Sequence, residues 1–187
     1  MISEFLNQGP KFTLIIRPRR WGKTLNMSML HHFFSAEVNG IPTVGLFDNL
    51  AIGQIEGGKW VKEHQGQYPM IMLSFKDFSS DDFQGAYDGI YDLIAEAYSA
   101  FSYLFSSTRL NAIDLRKLDR IVKNNANQNQ LENSLKLLST CLYRHHGKRV
   151  YILIDEYDAP LNKAYDNPTY LNVLVAFSRQ SILADCY

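Results

Sequence analysis

Gly22-Lys23-Thr24 stand directly after a short apolar run and at the start of a helical pattern. In that setting the three residue types suit a phosphate group. Backbone N–H groups at a helix N-terminus point at an anion, and the helix dipole favours negative charge there. Gly22 lets the main chain approach closely, the Lys23 ammonium can reach β- and γ-phosphate oxygens, and the Thr24 hydroxyl can ligate Mg²⁺. The full pattern, Gly-x-x-x-x-Gly-Lys-Ser/Thr, has its first glycine at a position held here by Arg17. Between them lie Pro18, Arg19, Arg20 and Trp21, which are bulky rather than small. A basic surface turn would present the same residues, and so would a nucleic-acid or localisation patch built on Arg17, Arg19, Arg20 and Lys23.

A second pair narrows the choice. Tyr151-Ile152-Leu153-Ile154 leads into Asp155-Glu156, the form of a Walker B strand. Its Asp reaches the C-terminal edge of a sheet and holds Mg²⁺, usually through water. The acidic residue after it can orient and polarise an attacking water. A solvated Asp-Glu pair at a strand end would look the same in isolation. Both elements in this order, each at the C-terminal end of a strand, favour a nucleotide, because ligands of open α/β sheets bind at that edge.

The elements that must position these residues can be read from periodicity. Thr13-Leu14-Ile15-Ile16 is a short buried strand. Leu25, Met29, Leu30, Phe33 and Phe34 recur at helical steps from Lys23 onward. Residues 35–67, rich in glycine, read as a long connection with a turn at Leu46-Phe47. Tyr68 to Phe75 is a second strand, and Ser79 or Ser80 is expected to cap the helix after it, with Asp81 and Asp82 near its positive end. Phe83, Tyr87, Ile90, Tyr91, Ile94, Tyr98 and Phe101 give that helix its apolar face. Leu110 to Val122 reads as helical, and Leu131, Leu135, Leu138 and Leu142 define one further helix ending near Gly147. Val150 to Ile154 is the third strand, and a last helix spans about 170–183. Near-continuous apolar strands alternating with helices predict an α/β fold with a mainly parallel sheet covered on both faces.

Composition fits one domain. The chain has 187 residues, 19 basic and 19 acidic, with 46% hydrophobic residues. That balance argues against a disordered acidic tail and against nucleic-acid binding through overall charge. Two cysteines, Cys141 and Cys186, rule out a disulfide scaffold and a four-thiolate zinc site, and fit a cytoplasmic, reducing setting. No apolar run approaches the roughly 18–20 residues that span a bilayer, so no membrane contact is expected.

Arg17-Pro18-Arg19-Arg20-Trp21-Gly22-Lys23-Thr24 resembles the Arg-Pro-Arg-Arg-aromatic-Gly-Lys-Ser/Thr signature of the AAA-ATPase-like family, bacterial proteins whose ATPase-like region often precedes a PD-(D/E)XK nuclease-like region. Leu46-Phe47-Asp48-Asn49-Leu50-Ala51-Ile52 is similar to the family's Leu-Phe-x-x-Leu-x-Ile turn. Trp60 followed by Tyr68-Pro69-Met70-Ile71 resembles its Trp and Pro-Val-Ile strand, and Asp155-Glu156-Tyr157-Asp158-Ala159-Pro160 its Asp-Glu-Tyr-Asp-x-Pro element. The missing first glycine is normal for that family.

The resemblance implies a P-loop NTPase-like, three-layer α/β/α fold and an Mg-ATP-binding, ATPase-like module. By position, Gly22, Lys23 and Thr24 would bind phosphate, Thr24 and Asp155 would hold Mg²⁺, and Glu156 would serve catalysis by positioning water. Arg17, Arg19 and Arg20 would contact the γ-phosphate or add positive potential beside it. Nucleic acid would be reached through a nuclease-like region outside these residues. Competing readings are a nucleotide-binding regulatory module that never turns over, and a nucleic-acid-binding piece using the Arg17–Lys23 patch. Asp158 is expected to stabilise the turn before Pro160. His31-His32, adjacent on a helix, point apart, and His145-His146 are expected to serve a helix C-terminus. The tyrosine stripe reads as core, the run Asp77 to Glu96 as a solvated acidic face, and Trp21 as packed on the neighbouring helix.

ATPases with a Glu after the Walker B Asp order their strands 5-1-4-3-2, and strand 4 carries a polar sensor of the γ-phosphate. No convincing strand follows Asp155, with Tyr170 to Val175 the nearest candidate. The expectation is therefore an incomplete sheet: residues 1–187 as the N-terminal part of one AAA-ATPase-like domain lacking later strands, with nucleotide binding expected and hydrolysis left open. Strands 1 and 3 would then flank a gap with unpaired backbone groups.

Overall fold

The computed structural model describes residues 2–8, 21–76 and 82–156. The expected strand at Thr13–Ile16, the arginines at 17, 19 and 20, Ser79 and Ser80, and the segment after Glu156 with Asp158 and the 170–183 helix lie outside the described residues.

A short helix α1 (Ile2–Gln8) and the longer α2 (Lys23–Phe34) come first. A hairpin of β1 (Glu37–Val38) and β2 (Ile41–Pro42) follows, then α3 (Ala51–Gln54), a 3-10 turn at Ile55–Gly58, and α4 (Lys59–His64). Strand β3 (Met70–Ser74) leads to α5 (Phe83–Ser99), a 3-10 turn at Ser102–Ser106, α6 (Ala112–Val122), α7 (Gln128–Glu132), α8 (Ser134–His146) and strand β4 (Tyr151–Asp155).

Strands β3 and β4 pair in parallel, Met70 opposite Tyr151 through to Ser74 opposite Asp155. Tyr151 N–H bonds Pro69 C=O at 3.1 Å and Phe75 N–H bonds Asp155 C=O at 3.1 Å, extending the ladder at both ends. Side chains alternate across a strand, and the two faces bury two different cores. Ile71, Leu73 and Phe75, with Ile152 and Ile154, pack on α5, α6 and α8 through Ile90, Ile94, Leu118, Leu135 and Leu142. Met70 and Met72, with Tyr151 and Leu153, pack on α1 and α2 through Ile2, Met27, Leu30 and Phe34. The described strands are thus the middle of three layers, as the sequence predicts for a buried parallel sheet. Each fully buried aliphatic side chain contributes about 1.5–3 kcal/mol.

Several expectations are corrected. The cap of α5 is Asp82: its side chain accepts the Gly85 N–H at 2.7 Å, and its extended backbone stands immediately before the first helical residue. The connection 35–67 is ordered rather than loop-like. Asn39 and Gly40 both have positive φ (53° and 76°), the requirement of the tight turn that an Asn-Gly pair favours. The helix around Leu131–Leu142 is two helices. Asn127 and Gln130 form a capping box that starts α7, and at Asn133 the backbone leaves helical geometry (φ −92°, ψ 6°) while the Asn133 side-chain amide donates to Asn129 C=O at 2.8 Å. That local bond competes with a continuous helical ladder. On α2, Leu25 is 74% exposed, because five residues from Leu30 place it about 140° around the helix from the buried face.

Candidate functional site

Helix α2 opens on Gly22, whose backbone is left-handed (φ 73°, ψ 24°) and carries no side-chain cap. A Cβ there would meet nothing within 4 Å, so glycine is needed for conformation rather than for room. Gly22 C=O accepts the Asn26 N–H at 2.9 Å, the first bond of the helix. Helix starts leave their first N–H groups without intrahelical partners, and no acidic side chain occupies the first turn of α2. The end of this 12-residue helix is therefore suited to an external anion.

Opposite it stands Asp155. The alternation along β4 puts Tyr151 and Leu153 on the α2 side of the sheet, so Asp155 faces α2 at the strand's C-terminal end. Thr24 Oγ1 donates to Asp155 Oδ2 at 2.7 Å across 131 residues of sequence. Lys23 Nζ lies 3.4 Å from Asp155 Oδ1, and the Glu156 N–H donates to the same oxygen at 2.9 Å. Asp155 is only 2% exposed, and a charge buried that deeply needs such partners. Glu156 itself has φ 53°, a left-handed backbone uncommon for its residue type. That kink ends β4 at the site and costs about 1 kcal/mol.

Lys23, Thr24, Asp155 and Glu156 are thus brought together, with Gly22 at their edge. Arg17, Arg19 and Arg20 lie outside the described residues. Ser74 was not singled out by the sequence reading, yet it is the register partner of Asp155. Period-2 counting back from the end of the second strand places it on the same face and at the same edge.

The other candidates have structural roles. Trp21 is 66% exposed rather than packed on a helix; in the turn ahead of α2 it stands outside the layer of apolar contacts. Tyr91 and Tyr98 are buried as expected, their hydroxyls donating to Ile121 C=O and, at 2.8 Å, to Ser134 C=O. Asp82, Asp88, Asp92 and Glu96 are solvated. His32 Nδ1 lies 2.8 Å from Ser28 C=O. His145 and His146 do not serve the carbonyls at the end of α8. His145 Nδ1 lies 2.7 Å from Ser107 Oγ, and His146 Nε2 lies 2.7 Å from the Tyr103 hydroxyl. Arg109 instead donates to His145 C=O at 2.7 Å, and Gly147 (φ 65°) ends the helix. Burial pushes the Tyr103 phenol up to about 12, with Glu37 adding to the rise.

No cluster of three or more His, Cys, Asp or Glu stands ready for a metal among the described residues. One hydroxyl and one carboxylate form the hard-oxygen set that suits Mg²⁺, an ion that takes its other ligands from water and phosphate. Thr24 and Asp155 could therefore contribute to holding an Mg²⁺ ion.

The family model described as Predicted AAA-ATPase matches residues 1–182. The chain belongs to the AAA-ATPase-like family. The AAA-ATPase-like match takes in both Gly22–Thr24 and Asp155–Glu156. Comparisons with curated proteins and with solved structures gave no match. Among the described residues of this AAA-ATPase-like chain, no helix is long and apolar enough to cross a membrane.

Proposed function

We propose that this AAA-ATPase-like chain binds Mg-ATP in the cytoplasm, with Gly22–Thr24 as its Walker A end and Asp155 as its Walker B carboxylate. The observation that carries the reading is the 2.7 Å hydrogen bond from Thr24 to Asp155. It joins the two motifs at the C-terminal edge of a parallel strand pair, where α/β sheets take their ligands. The N-terminus of α2 and the Lys23 ammonium receive phosphate oxygens. Thr24 and Asp155 would hold the metal, Asp155 through water. Bound Mg²⁺ neutralises charge on the phosphate oxygens. Glu156, set beside Asp155 by the kink at the end of β4, orients a water and accepts its proton. Arg17, Arg19 and Arg20, which precede Gly22 in sequence, would add positive potential for the phosphates.

Isothermal titration of ATP with Mg²⁺ tests the reading. Lys23→Ala is expected to weaken binding at least 10-fold, and equal binding by both proteins would overturn the proposal. Glu156→Gln keeps the side chain's size and is expected to bind ATP while phosphate release falls at least 100-fold. Unchanged release would remove Glu156 from its role.

A further inference from the structure

Ser74 ends β3 directly opposite Asp155 in the parallel register. Registered neighbours in a parallel pair point to the same face, and Met70 and Met72 of β3 join the core on the α2 side. Ser74 therefore points to that side too, at the edge where Thr24 and Lys23 meet Asp155. Asp155 Oδ2 is taken by Thr24, and Oδ1 by Lys23 and the Glu156 N–H, with no direct bond to Ser74; strands about 4.8 Å apart leave registered side chains close enough for one water to touch both. Ser74 is exposed, unlike the buried residues before it on β3. Its hydroxyl oxygen accepts only a long 3.4 Å contact from the Lys76 N–H, and its own O–H donates to no described residue. A solvent-facing hydroxyl next to a buried carboxylate is the arrangement that orients water held by a hard cation.

We propose that Ser74 is a positioning residue of the metal site, holding the water through which Asp155 binds Mg²⁺. The inference rests on the Mg-ATP reading above and adds to it a residue that neither phosphate motif contains. Ser74 acts through water and touches neither nucleotide nor metal. Removing its hydroxyl leaves that water one partner short, and such losses typically cost about 10-fold in metal affinity. Thr keeps the hydroxyl and, being β-branched, suits a strand end.

The test is ATP binding followed by calorimetry at a series of Mg²⁺ concentrations, with a parallel arm in EDTA. Ser74→Ala is expected to raise the half-saturating Mg²⁺ concentration about 10-fold, and Ser74→Thr to restore it to within about 2-fold of the wild type. No shift in Ser74→Ala, or a loss of the same size in EDTA, overturns the role while leaving the Mg-ATP reading intact. Wild-type protein that binds no ATP in either arm overturns both.

Discussion

Asp155 shows how one residue serves both fold and site. Its carboxylate is nearly fully buried and shared between Thr24, Lys23 and the Glu156 N–H. Burying a charge is costly unless it is paired, so the contacts that would present Asp155 to a metal in the proposed reading also make its burial tolerable. Lys23 keeps 27% of its side chain exposed against 3% for Asp155, so its ammonium keeps access to water if the carboxylate is neutralised, whereas the carboxylate depends on its partners. The two roles can therefore be separated. Asp155→Asn keeps an oxygen for the Thr24 hydroxyl and loses the charge. Urea unfolding is expected to show a loss of about 1–3 kcal/mol, since the amide nitrogen leaves one donor around Asp155 without an acceptor, while Mg²⁺-dependent ATP binding falls at least 10-fold. A protein that loses most of its stability instead would make Asp155 primarily a folding residue.

At the scale of elements, the segment between α2 and β3 holds its shape through backbone contacts. Phe47 packs its ring edge-on to Phe33 at 5.1 Å, and the turn that carries it closes against Gly53. A Cβ on Gly53 would stand 2.3 Å from Asp48 C=O and 2.5 Å from Phe47 C=O. Neither carbonyl can swing aside as a side chain would, so Gly53→Ala is expected to cost at least about 2 kcal/mol, read from the urea midpoint. A midpoint equal to the wild type would show that this turn moves freely. The same segment marks where sequence reasoning stops. Strands β3 and β4 and helix α5 were legible because burial imposes a long apolar pattern on them. The hairpin at Asn39-Gly40 was not, because strands of two residues carry no periodicity, although the Asn-Gly pair itself was a usable signal. The break at Asn133 was hidden for the opposite reason: Leu131 and Leu135 keep helical spacing across it, and only the asparagine gives it away. In the site, Thr24 and Asp155 were legible from motif order. Ser74 was not, since it becomes visible only when the register of two distant strands is known.

For the whole molecule, charge on two partly desolvated histidines contributes a pH dependence. Burial holds His31 below its ordinary value, with His32 adding to the shift. Burial, then His145 and Arg109, do the same to His146. In both cases the folded state disfavours the protonated ring, so the unfolded chain binds more protons below about pH 6.5. The stabilisation is complete above that pH and is lost as pH falls through the lowered folded values. Urea midpoints are expected to drop between pH 7.5 and pH 5.5, and the double variant His31→Gln, His146→Gln to show a shallower drop. A midpoint that rises on acidification would contradict the sign.

The parallel pairing of β3 with β4 also fixes an order of events. The two strands are separated by all of α5 to α8, and Thr24 meets Asp155 only across 131 residues. Contacts so distant in sequence require the closing of a large loop, which makes them slow to form. While the chain is being synthesised, Lys23 and Thr24 emerge early and cannot meet Asp155 until 131 further residues have been made. On the proposed Mg-ATP reading, competence for nucleotide is a late product of folding, and an ATP-binding signal in a refolding experiment would report completion of the central layer rather than formation of helix α2.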